Sequence, residues 1–506
     1  MKEKIKNIED LAQIISDLKS KGKKIVHCHG VFDLLHIGHI KHFEEAKTFG
    51  EVLVVSITPD EFVNKGPGRP AFTTSLRLES IAALESVDYV FANKWPTAEK
   101  AIKSIQPDVY CKGPDYKDHL DDITGKIKDE EATVQLVGGK VLYTDDITFS
   151  SSNLLNKYGN LHSQELESFI RGITNKYSFE SIQLKLEKIK KIKVLVIGET
   201  IIDQYVFCEA LGKSGKEPVL VLRDLETQEY LGGALAIARH LSGFCSDVSV
   251  LSYLGEDYEY KSFIEENIEE NIYLNLLAKS NSPTIVKRRF VDEMDGKKIL
   301  GVYSINDNIL SKAEESQFIE SFDKLSKEHD LIIVSDYGHG IITPKIAKYI
   351  SKANNFISLN AQVNAANIGT HNIRKYNDID CLIVNASELQ HEMRQREGDL
   401  EKLAIELKEA INANYISVTK GREGAFLLNG NKLPVNCPGF AIEVVDKIGS
   451  GDALLALLSV SLYSKIEEDL SLFIASIAAA QSVESIGNSS PVSKVKLLKT
   501  ISHFLK

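Results

Sequence analysis

An α/β protein made of two doubly wound parallel-sheet domains is the fold class the sequence predicts, on three observations. Apolar runs of strand length, such as Val52–Ile57 and Val194–Ile197, alternate with segments of helical periodicity along most of the chain. The chain has 506 residues, more than one core usually organises. The alternation is broken once, over 158–190, by a polar stretch rich in Lys, Glu, Asn and Ser that reads as connecting helices. The expected division is therefore a first domain over 1–157, a helical linker over 158–190 and a second domain over 191–506.

Hydrophobic residues make up 43% and charged residues 26%, as in soluble globular proteins, and the net charge is −11. An acidic chain of this kind is not expected to bind nucleic acid or an anionic membrane. Phosphorylated small molecules stay open, because a local group of Lys and Arg can serve them. The six cysteines form no CxxC pair and sit mostly in strand-like runs, which predicts reduced core thiols in a cytoplasmic protein and no zinc or other metal-ligand set. The N-terminus carries no apolar leader, and the most apolar run, Ala453–Tyr463, is too short to span a bilayer.

In order, residues 1–20 read as a helix with Ile8, Leu11, Ile14, Ile15 and Leu18 as its stripe. A strand over 24–29 runs into Gly30-Val31-Phe32-Asp33, then into a helix carrying Ile40, Phe43 and Ala46 on one face. Strands follow at 51–57, 87–91, 108–111 and 140–143, with helices at 74–84 and 98–105 between them. Ligands of such sheets sit at the carboxyl ends of the strands. His36, Thr58, Lys112 and the run 145–152 all follow strands, so they are expected to face one crevice. From Val194 the alternation resumes, and no segment repeats the motifs of the first half.

The first candidate site is Gly30 to His39. A helix N-terminus gathers anions through its free N–H groups and dipole. His36 and His39, three residues apart in the first turn, can point the same way. Lys65 in a Gly/Pro loop, Arg77 at a helix start, Lys112 after a strand, and Ser150, Ser151 and Ser152 opening a helix add charge and hydroxyls. His36-Ile37-Gly38-His39 resembles the HxGH signature of the nucleotidylyltransferase superfamily, which includes cytidylyltransferases. The loop lysine, the helix arginine, Lys112-Gly113-Pro114-Asp115-Tyr116 and Ser150–Ser152 resemble its further segments in order, over residues 23–157 and nearest to the heptose-1-phosphate adenylyltransferase branch. Pro114 and His29 depart from that branch. The resemblance implies a Rossmann-like domain in which a substrate phosphate attacks the α-phosphorus of ATP or CTP, with Mg²⁺, and expels pyrophosphate. It implies His36, His39, Lys65, Arg77 and Lys112 as catalytic, and Gly30, Phe32, Asp33, Gly38 and Ser150–Ser152 as nucleotide-binding. The same four letters also mark class I aminoacyl-tRNA synthetases, but the acidic chain and the serines where a lysine-rich loop belongs disfavour them.

The second candidate site is Gly449-Ser450-Gly451-Asp452, a glycine turn opening an apolar helix. Its N–H groups suit an anion, and Asp452 can take a proton from an attacking hydroxyl. With Gly198-Glu199 to Asp203, Leu231-Gly232-Gly233, Ser335-Asp336-Tyr337-Gly338, Asn385-Ala386-Ser387-Glu388 and Thr419-Lys420-Gly421, it resembles the ribokinase-like PfkB sugar kinases over about residues 193–503. That implies Asp452 as base; Gly449, Ser450, Gly451, Asn385, Glu388, Thr419 and Gly421 at the nucleotide; and Asp203, Gly232, Gly233 and Asp336 at the sugar. Leu235-Ala236 replaces a usual Ala-Asn, His339 a frequent Lys, and Lys447-Ile448 a usual Thr-Thr.

The two halves together resemble the bacterial bifunctional heptose-phosphate kinase/adenylyltransferases with the domains in reversed order. This implies a homodimeric enzyme making a nucleotide-activated sugar for surface polysaccharide. The rival expectation is a nucleotidyltransferase whose kinase-like half only binds sugar or organises a dimer. A flavin kinase/FAD synthase does not fit, because its kinase half is a small β-barrel.

Overall fold

The computed structural model describes residues 2–63, 69–113, 126–144, 164–364, 366–369, 372–430, 433–441 and 444–505. They fall into two compact units, 1–167 with 498–506, and 168–497.

The first unit is built on five parallel strands, β1 (Ile25–Gly30), β2 (Val52–Ile57), β3 (Tyr89–Ala92), β4 (Val109–Lys112) and β5 (Lys140–Tyr143), ordered β3-β2-β1-β4-β5. Helix α1 (Ile8–Ser20) buries Ile8, Leu11 and Ile15 of its stripe. It is held at its start by Asn7, whose side chain accepts the Asp10 N–H at 2.8 Å. Helices α2 (Ile37–Thr48), α3 (Thr74–Ala82) and α4 (Glu99–Ile105) lie near the spans the sequence predicts. Helix α5 (Lys126–Leu136) was not expected. Phe43 and Ala46 of α2 pack with Val26, Cys28, Val109 and Cys111 of the two central strands. The order reverses between β1 and β4, so the crevice beyond their carboxyl ends is a switch point.

Helices at 164–176 and 179–189 precede the second sheet. Its strands are β6 (Lys193–Gly198), β9 (Asp247–Gly255), β10 (Ile272–Lys279), β13 (Leu331–Asp336), β14 (Phe356–Ala361), β15 (Cys381–Asn385), β16 (Tyr415–Thr419), β17 (Ala425–Asn429) and β18 (Val435–Cys437), ordered β10-β9-β6-β13-β14-β15-β16-β17-β18. Parallel pairing holds from β10 to β16, and β17 and β18 turn antiparallel. A second sheet of four strands was not foreseen. It contains β7 (Thr200–Lys213), β8 (Leu220–Gly233), β11 (Ile285–Asp292) and β12 (Lys298–Ser304), ordered β12-β11-β7-β8. The carboxyl-proximal part of β7 and most of β8 are exposed, so they lack the apolar run by which a buried strand is recognised. Among the described residues no helix is long and apolar enough to cross a membrane.

Candidate active sites

In the first unit the chain leaves β1 through Phe32, held at φ +47°. His36 is the N-cap of α2: its Nδ1 accepts the Gly38 N–H at 3.1 Å. A neutral His36 with Nδ1 accepting carries its proton on Nε2, the arrangement needed to donate to a phosphate oxygen. The His39 ring stacks on it, with centroids 4.0 Å apart and planes 26° apart. Phe32 abuts the His39 ring edge-on at 5.4 Å and also touches Phe43. The two imidazoles are therefore brought together at the mouth of α2, with Phe32 behind His39.

Two expected ligands have other work. The Arg77 guanidinium is buried and gives every N–H to the protein: Nε to Phe72 O, Nη1 to Val31 O and Thr58 O, Nη2 to Asp60 Oδ1 and Thr74 Oγ1, all at 2.5–3.3 Å. Arg77 thus ties the turn after β1 to the turn after β2. Asp33 is likewise closed: its carboxylate accepts from Arg69 Nη1 at 3.0 Å and from the N–H groups of Ala71 and Phe72. It anchors that loop. Gly30 ends β1 and Gly38 lies in the first turn of α2, its N–H used in the cap.

Lys112 ends β4, nearly buried, in an ion pair with Glu130 of α5 at 2.7 Å. Beside it, His27 and His29 both contact Ser56 Oγ at 2.8 Å. Burial, then the nearby Lys112 charge, lowers the His27 imidazole to about 3 and holds His29 well below its usual value. Lys65 and Ser150–Ser152 lie outside the described residues.

In the second unit a cleft of about 610 Å³ opens at the carboxyl ends of β14, β15 and β16. Asp203, Gly233, Asn385, Glu388, Thr419, Gly421, Gly449, Ser450, Gly451 and Asp452 all line it. Gly449 starts the helix Ser450–Tyr463 at φ +92°, and a Cβ there would meet Asn488 Oδ1 at 2.2 Å. Gly451 has open space where a side chain would be. The turn is thus a backbone cradle at a helix mouth.

Asp452 lies at the base of this cradle, accepting the Tyr337 hydroxyl at 3.0 Å. Burial pushes its carboxyl up to about 7, and the charge of Asp203 adds to the rise. Hydrogen bonds from Tyr337 and Asn488 and the charge of Lys287 pull the other way. Glu388 and Asn385 cap each other reciprocally, at 2.8 and 2.9 Å. Burial raises Glu388 to about 7 as well. Glu388 and Asp452 share this cleft, and in their ionised forms they are hard oxygen donors of the kind Mg²⁺ takes.

Asp203 accepts Arg289 Nη1 at 2.6 Å and lies over Gly232, where a Cβ would be 2.3 Å from its Oδ2. Gly232 itself does not line the cleft but makes room for Asp203. Asp336 does not reach the cleft either: Tyr376 and Lys375 hold Oδ2 at 2.7 and 2.6 Å, and the Gly338 N–H holds Oδ1 at 3.0 Å. Its neighbour Tyr337 is the residue of that motif that lines the cleft. Glu199 fixes this turn by accepting the N–H groups of Tyr337 and His339. Sequence reasoning missed Tyr337, Lys287 and Arg289. The last two lie on β11, and the alternating Lys-x-Arg was the signal that both face one side.

The cleft, its glycine cradle and its buried carboxylate define the second unit as a ribokinase-like sugar kinase fold joined to a Rossmann-like domain. The chain belongs to the pfkB family of carbohydrate kinases, whose model matches residues 191–495, and residues 27–157 match the cytidylyltransferase-like model. It is 30% identical over 303 residues to the bifunctional protein HldE of Campylobacter jejuni strain RM1221, covering 59% of this chain and 62% of that protein. With the HldE protein of Geobacter metallireducens it shares 37% over 168 residues, 32% of each chain. The chain thus spans under two thirds of the length of these relatives in one alignment. Among solved structures, phosphofructokinase-2 from Escherichia coli, in complex with potassium, superposes with a TM-score of 0.51 at 13% identity, covering 62% of this chain and all of that one. This likeness bears on the fold.

Proposed function

We propose that the chain is a bifunctional enzyme making a nucleotide-activated, heptose-like sugar, with residues 1–157 as nucleotidyltransferase, 158–190 as connection and 191–506 as kinase. The observation that carries this reading is Asp452, a buried carboxyl raised to about 7 at the mouth of a glycine-started helix, in a cleft shared with Asp203, Lys287 and Arg289. Asp452 takes the proton of the attacking sugar hydroxyl, while the N–H groups of the 449–451 turn receive charge on the transferring phosphoryl group. Glu388 would hold the Mg²⁺ that accompanies ATP, and that ion would supply charge neutralisation. Lys287, buried over the Tyr337 ring at 5.0 Å, and Arg289 suit a phosphate already present on the sugar.

In the first unit, His36 and His39 donate to the triphosphate of ATP or CTP, and alignment with charge balance does the work. Lys112 and Lys65 balance charge on the two substrates. HldE homologues carry a name for two functions in one chain, which supports this pairing. Apolar residues exposed on β8 and β12, among them Leu220, Val221, Leu300, Val302 and Tyr303, support a homodimer through the four-stranded sheet. Six unpaired, buried cysteines and a net charge of −11 support a cytoplasmic setting without membrane or nucleic-acid partners.

The test is to incubate the full chain with each nucleoside triphosphate and a panel of sugar 1-phosphates, measuring pyrophosphate, and with ATP and sugar phosphates, measuring ADP. Release in both assays is expected. Sugar-phosphate binding without ADP release would reduce the second unit to a binding module.

A further inference from the structure

The cysteine spacing predicts no metal ligands, yet the fold gathers a set that the sequence scatters. Cys28 on β1 and Cys111 on β4 are direct register partners on adjacent parallel strands, so both thiols leave the same face of the sheet. That face is covered by α2, which delivers His42. The Cys28 Sγ, the Cys111 Sγ and a ring nitrogen of His42 all lie within 4.8 Å of one another, and this is the one such group among the described residues. The thiols are buried, whereas His42 is partly exposed. His42 Nδ1 lies 3.0 Å from Thr144 Oγ1, just beyond β5, so a hydroxyl holds the ring; with Nε2 as the ligand atom, this is the outer hydrogen bond that orients metal-bound imidazoles.

We propose that Cys28, His42 and Cys111 form a binding site for a thiophilic divalent cation of the zinc type. Two thiolates and an imidazole are the donors that such an ion selects and that Mg²⁺ does not. Binding releases the two thiol protons, and the ion's charge is met by the two thiolates formed. The site is distinct from the phosphate crevice: it joins β1, β4 and α2 behind the helix mouth that carries His36 and His39. Its role is therefore that of a staple, holding that mouth on the two strands that flank the switch point. It depends on neither proposed activity.

The experiment is titration of the reduced, metal-free full-length chain with Co²⁺, followed by displacement with Zn²⁺. One equivalent of Co²⁺ is expected to give a thiolate-to-cobalt charge-transfer band with the visible bands of a tetrahedral ion, and Zn²⁺ is expected to abolish both. Cys111→Ser should lose half or more of the charge-transfer intensity, His42→Gln should weaken binding at least tenfold, and Cys381→Ser in the second unit should change nothing. No thiolate band in the unaltered chain overturns the proposal, whatever the variants do. So does a band of undiminished intensity in Cys111→Ser, or loss of the Cys28 and Cys111 thiols to a disulfide in place of metal binding.

Discussion

Replacing Tyr337 by Phe removes one hydroxyl from the kinase cleft and nothing else of size. That hydroxyl donates to Asp452 at 3.0 Å and is among the contacts that hold the carboxyl down at about 7 against the effect of burial. A hydrogen bond to a charged group contributes about 1.5–3 kcal/mol. One pKa unit corresponds to about 1.4 kcal/mol. The substitution should therefore raise Asp452 by about one unit or somewhat more. If Asp452 must be ionised to accept a proton, kcat/KM for phosphorylation rises with pH along a one-proton limb. In the unaltered chain that limb should be centred near 7. In Tyr337→Phe it moves up by about one unit, so activity at neutral pH falls about fivefold while the alkaline plateau stays nearly unchanged. The assay is ADP release against pH with the sugar phosphate that gives turnover. A loss equal at all pH values, or a limb that does not move, would refute the role given to Asp452.

Arg77→Met should lower stability by about 3 kcal/mol or more, because it leaves carbonyls and the Asp60 carboxylate without their partner; a melting curve with no shift, together with a raised nucleotide KM, would return Arg77 to the phosphate. Gly449→Ala forces a side chain into φ +92° and against Asn488, costing about 1–2 kcal/mol for the backbone alone. It should raise the KM for ATP in the kinase assay and leave pyrophosphate release untouched. Glu199, Glu388 and Asp452 all have carboxyls raised to about 7 by burial. Their contribution to stability is complete below the ordinary carboxyl range and is lost as pH rises through 7, so the unliganded second unit should melt lower at pH 8 than at pH 6. A midpoint that climbs over that interval would count against these environments.

What the sequence showed best was local. The strand, turn and helix around His36 and His39, and the glycine turn before Asp452, depend on neighbours in the chain, and each was legible from periodicity and glycine placement. Long-range roles were not. Arg77 looks like any helix-start arginine until the turns after β1 and β2 close around it. Asp336 and Tyr337 differ by one position, and only the twist of the chain leaving β13 decides which faces the cleft. Helix α5 places Glu130 and Thr133 on its buried side, so its apolar stripe is too thin to read. The four-stranded sheet hides for a related reason, since its outer strands are wet. Cys28, His42 and Cys111 are brought together by strand order alone, which no spacing rule anticipates.

The most direct test of two separate phosphoryl-handling sites is to assay both half-reactions in two full-length variants, His39→Ala and Asp452→Asn. His39→Ala should cut pyrophosphate release by about a hundredfold or more and leave sugar phosphorylation intact. Asp452→Asn should abolish phosphorylation and spare nucleotidyl transfer. Either substitution silencing both reactions, or neither altering its own, would contradict the assignment.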